Sequence, residues 1–79
     1  MTGAYVLINC TGGKAAHVVR ALRRNGVKEV RAVTGLHDIV AFVEAKDPNK
    51  LGDLIVNKIQ GIDGVQRTVT MVAVKLSVR

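Results

Sequence analysis

The sequence predicts an α+β sandwich in which one four-stranded antiparallel sheet carries two helices on a single face. Apolar runs of strand length alternate with two stretches of helical period, in the order β-α-β-β-α-β. The polar turn Thr34-Gly35-Leu36-His37-Asp38 joins the two middle strands and is short enough only for a hairpin. Every strand also keeps apolar residues at both parities. Two β-α-β halves with right-handed crossovers around a hairpin give a ferredoxin-like topology, with strands one and three in the middle. Helices cover only one face of such a sheet. The other must be buried by something, and a second copy is the economical answer, sheet on sheet or by strands shared at an edge, as in a dimeric α/β barrel.

The first strand, Ala4 to Cys10, is rich in β-branched and aromatic residues and contains no Gly or Pro. Thr11-Gly12-Gly13 breaks it, and Thr11 or a glycine caps the following helix. From Lys14 to Asn25, Ala15, Val18, Val19 and Leu22 form one helical stripe, with Lys14, His17, Arg20 and Arg24 outside it. Asn25-Gly26 ends that helix through a left-handed cap. Val27 to Val33 is interrupted by Lys28, Glu29 and Arg31, which suits a sheet edge. In the hairpin, Gly35 supplies the positive φ and Asp38 folds its carboxylate onto nearby amides. Ile39 to Glu44 is again a central-strand pattern. Asp47 as N-cap and Pro48 at the first helical position open the second helix, whose stripe is Leu51, Leu54, Ile55 and Ile59, and Gly61 closes it. The last strand, Val65 to Val78, sets Thr68, Thr70, Val72, Val74, Leu76 and Val78 on one face and Val65, Arg67, Val69, Met71, Ala73 and Lys75 on the other.

At 79 residues the chain reads as one domain, small enough that self-association is a common route to stability. It is 48% hydrophobic, too apolar for disorder, but no run is long enough to span a membrane and the N-terminus lacks a signal-peptide pattern. A cytoplasmic setting is expected. The single Cys10 fits a reducing compartment and has no CxxC companion, so it reads as a small buried hydrophobe. The net charge of +6 is concentrated between Lys14 and Arg31, where a solvated helix face explains it as simply as nucleic acid does.

No catalytic or metal-ligating constellation stands out. His17 and His37 lie apart, and there is no Ser/His/Asp or Cys/His arrangement. An acylphosphatase shares the topology, but Cys10-Thr11-Gly12-Gly13-Lys14 offers no arginine for its phosphate loop. A heavy-metal domain would carry a second thiolate where Gly13 stands, so neither metal nor cofactor is expected. An RNA-recognition motif would place aromatics on strands one and three. Tyr5 and Phe42 sit there, yet Ile39-Val40 replaces the Gly-aromatic pair, which argues against direct nucleic-acid binding.

Val33-Thr34-Gly35-Leu36-His37-Asp38-Ile39-Val40 resembles the "TGxxDxxV" signature of the effector domain of Lrp/AsnC (feast/famine) regulators. Ile62-Asp63-Gly64-Val65 with Arg67-Thr68-Val69-Thr70 is similar to the pattern opening that domain's last strand. The resemblance covers essentially the whole chain and implies a stand-alone RAM (regulation of amino acid metabolism) domain, since the first strand begins where the family's helix-turn-helix would precede it. It further implies dimers that assemble into larger oligomers, an amino acid bound between dimers, and mixed assemblies with full-length family regulators. On the residues' own chemistry, Asp38 takes the ammonium, while the amides of Gly35, Leu36 and His37 and the hydroxyls of Thr68 and Thr70 hold the carboxylate. Family members often carry an aromatic where His37 stands. Two other readings remain open: a basic nucleic-acid-associated module, and an oligomerisation scaffold without a ligand in which Asp38 only closes the turn.

Overall fold

The computed structural model describes residues 1–77. Its elements are β1 (Thr2–Cys10), α1 (Ala15–Arg24), β2 (Glu29–Ala32), β3 (Ile39–Ala45), α2 (Pro48–Leu54) running directly into a π-helical segment (Ile55–Gln60), and β4 (Val65–Val72). The strands form one antiparallel sheet in the order β2-β3-β1-β4, so the first and third are central, as the sequence predicts. Val6 and Ile8 of β1, Ile39 of β3, Val18 and Leu22 of α1 and Ile59 of the π segment are fully enclosed between sheet and helices.

Local signals explain most boundaries. Gly26 adopts φ +91°, Val27 N donates to the Leu22 carbonyl at 3.0 Å, and Gly26 N donates to the Arg23 carbonyl at 3.1 Å. This is a Schellman cap, and it turns Val27 into the core instead of into a strand. The second strand is accordingly shorter than Val27 to Val33. At the other end of α1 the N-cap is Lys14, with no side-chain bond, rather than Thr11 or a glycine. Asp47 does cap α2, its carboxylate accepting from Lys50 N at 2.8 Å with Pro48 behind it. Replacing Asp47 with alanine is expected to cost about 1 kcal/mol. Urea unfolding should show this as a lower midpoint at unchanged slope.

Leu51, Ile55 and Ile59 are buried at strict four-residue spacing. Four residues exceed one α turn but fall short of one π turn, so the π segment rotates Ile59 back onto the sheet.

The last strand departs from expectation in two ways. Asn9 pairs with Arg67 but Cys10 pairs with Val65, so Gln66 is an extra residue, a β-bulge. The bulge changes the phase: Val65 packs against the core, while Arg67, Val69 and Met71 keep the opposite face. The strand also ends at Val72, and Ala73 N makes a bond to the Gly3 carbonyl at 2.8 Å just where β1 begins. Beyond it no neighbouring strand remains among the described residues, and Val74 and Leu76 are 77% and 72% exposed. Val78 lies outside the described residues.

Candidate functional site

The sheet face away from the helices is built in rows by the strand register. One row runs Glu29, Phe42, Tyr5, Met71; the next runs Arg31, Val40, Leu7, Val69; a third begins with Asn9 and Arg67. The Tyr5 and Phe42 rings pack at 4.9 Å with a 53° tilt, which engages the two aromatics with one another. A Cβ on Gly3 would meet the tip of Phe42 at 2.8 Å, so the absent side chain makes room for that ring. Tyr5, Val69 and Met71 are 48%, 38% and 47% exposed, an apolar patch across the middle of the sheet.

At the polar end of this face, the hairpin turn is tied to the last residues of β1. Asp38 N donates to the Ile8 carbonyl at 2.9 Å, and the Asp38 carboxylate accepts from Cys10 N at 2.7 Å. Val33 N closes the hairpin on the Asp38 carbonyl at 2.9 Å, and Gly35 takes φ +122°, as the turn requires. Asn9 completes the clasp. Its Nδ2 donates to the Leu36 carbonyl at 2.8 Å, which turns its Oδ1 toward His37 Nδ1 at 3.0 Å. Because that oxygen only accepts, His37 Nδ1 is the donor of this bond. Burial first, and the Asp38 carboxylate second, push the Cys10 thiol up. Both effects favour the thiol over the thiolate.

The sequence-predicted site residues fall into two groups. Gly35, Leu36, His37 and Asp38 stand together on the clasped turn, with Leu36 90% exposed. Thr68 and Thr70 pair with Ile8 and Val6 and so share the helix-covered side of the sheet, where Thr68 Oγ1 accepts from Gln60 Nε2 at 3.1 Å. One chain does not bring the threonines to the turn. A groove of about 620 Å³ lies between α2, the π segment and the start of β2, and a depression of about 260 Å³ lies along β2; none of the predicted residues lines either. Sequence reasoning passed over Asn9, because a polar residue near the end of an apolar strand looks unremarkable until the register shows what it reaches.

The open face of the sandwich thus ends in a solvent-facing turn held by side-chain bonds from Asn9 and Asp38. The Lrp/AsnC ligand binding domain profile matches residues 3–79. The chain belongs to the Lrp/AsnC ligand-binding domain family. It is similar over its full length to TTHA0845 from Thermus thermophilus, at 36% identity and TM-score 0.88, with 100% of each chain covered. The regulator NMB0573 of Neisseria meningitidis, solved as an L-Met complex, shares the fold at TM-score 0.80 and 19% identity, over 94% of this chain and 50% of that one. Homocitrate synthase of Sulfurisphaera tokodaii is 48% identical over 50 residues, or 63% of this chain. The chain spans 11% of the length of that curated relative.

Proposed function

We propose that the chain is an amino-acid-sensing and oligomerisation module, with the hairpin turn as its effector site. The clasped turn carries this reading: the residues of the family signature are held at the end of β1 by side-chain bonds from Asn9 and Asp38. A binding loop ordered before its ligand arrives loses less entropy on binding. Asp38 receives the ammonium, and the amides of Gly35, Leu36 and His37 receive the carboxylate. Thr68 and Thr70 reach the ligand from a neighbouring copy.

The apolar rows through Tyr5 and Leu7 pair the sheets of two copies, and Val74 and Leu76 extend that contact beyond the end of β1. Dimers then assemble further, enclosing the turn. The L-Met complex of the Neisseria regulator supports the ligand class. The resemblance to part of a homocitrate synthase supports a module that serves chains of different kinds, full-length regulators of the family among its partners.

Calorimetric titration with each of the twenty amino acids tests the site. Asp38→Asn keeps an oxygen for Cys10 N but removes the charge, so it should fold normally and bind at least about tenfold more weakly. Asp38→Ala should in addition lose about 1–2 kcal/mol of stability from the orphaned amide. Equal binding by wild type and Asp38→Asn, or no binding to wild type, overturns the assignment.

A further inference from the structure

We propose that Arg67 joins the turn amides in recognising the ligand carboxylate, as a specificity determinant on β4; this rests on the amino-acid reading above. The register puts Arg67 directly opposite Asn9, on the open face of the sheet. Residues so paired have Cβ atoms about 5 Å apart. Asn9 is the same residue that holds the Leu36 carbonyl and His37 Nδ1. Arg67 thus borders the clasped turn through a single intervening side chain.

The bulge at Gln66 is what places it there. Without the extra residue the strand's alternation would put Val65 and Arg67 on one face; with it, Val65 turns into the core and Arg67 alone faces out beside Asn9. Bulges commonly re-aim a side chain next to a site. Among the described residues Arg67 has no ion pair, the only such pair being Lys14 with Asp63 at 3.2 Å.

The chemistry then divides across the turn. Asp38, at the end of the hairpin, is the anion for an ammonium; the Arg67 guanidinium is a planar fork matched to a carboxylate. A ligand with an amine and a carboxylate on neighbouring carbons meets both, whereas a simple amine or a carboxamide meets only one.

The test compares the amino acid that binds wild type most tightly with its own carboxamide, at a pH where both amines are protonated. Wild type should prefer the acid by about tenfold to a hundredfold, the scale of one charge-assisted pair. Arg67→Gln should bind the acid correspondingly more weakly, bind the amide as wild type does, and lose the preference; Arg67→Lys should restore part of it. Light scattering on the same variants separates recognition from assembly, and the oligomer should be unchanged. If Arg67→Gln keeps the full preference, or weakens acid and amide alike, Arg67 is not the carboxylate partner although the amino-acid site stands. If no amino acid binds wild type, the site reading itself falls and this assignment with it.

Discussion

Leu7→Glu is expected to abolish self-association and leave a folded, single-chain particle. Leu7 lies in the middle of the open face, flanked by Val40 on β3 and Val69 on β4. In a sheet-on-sheet dimer each copy would bury an unpaired carboxylate there, at a cost of several kcal/mol per charge. In the isolated chain the same side chain is half-buried on the open face, away from the core of Val6, Ile8 and Ile39, which is untouched. Sedimentation or light scattering reads the particle mass, and circular dichroism reads the fold. Arg20→Glu, on the exposed side of α1, is the control and should leave assembly alone. If Leu7→Glu sediments with wild type, the contact between copies lies elsewhere.

Gly64→Ala is expected to cost about 2–4 kcal/mol, enough to lower the melting temperature of a domain this size by roughly 10 °C or more. Gly64 has φ +100°, and a Cβ there would stand 2.8 Å from Lys14 Cβ and 3.2 Å from Val18 Cγ2. Neither neighbour yields easily: Lys14 is the N-cap of α1, Val18 is fully buried, and the Gly64 carbonyl accepts from Thr11 N at 2.9 Å. Gly12→Ala is the contrast. A Cβ at Gly12 meets nothing within 4 Å and its φ is not in the left-handed range, so alanine should be neutral or slightly stabilising. Thermal unfolding that ranks the two variants equally would remove the close-approach explanation.

The features legible in the sequence are those written in local chemistry. Asp47-Pro48 starts a helix, Asn25-Gly26 stops one, and Gly35 gives the hairpin its positive φ; each acts within a few residues and holds in the structure, whereas the Asp38 carboxylate, expected on the amides of its own turn, reaches Cys10 N on β1. The strand order follows from right-handed crossovers and needs no side-chain detail. What escaped is what depends on register. Nothing in Val65-Gln66-Arg67 announces a bulge, because the extra residue exists only relative to Asn9 and Cys10 on another strand. Arg67 and Asn9 were consequently invisible as neighbours, and Thr68 and Thr70 looked nearer to the turn than one chain allows. The overlong reading of the last strand has a related cause: the alternation Val72, Val74, Leu76 continues after the partner strand has run out. The π segment left no signal beyond a four-residue spacing that an ordinary helix would also tolerate.

Asn9 belongs at once to the clasp around the turn and to the row that borders the greasy middle of the sheet. Whatever tightens or loosens that clasp therefore pulls on the strand that carries Leu7 and Tyr5 on the open face of the sheet. In the proposed dimer a change at the turn would reach the contact between copies across the width of one amide, with no hinge to swing.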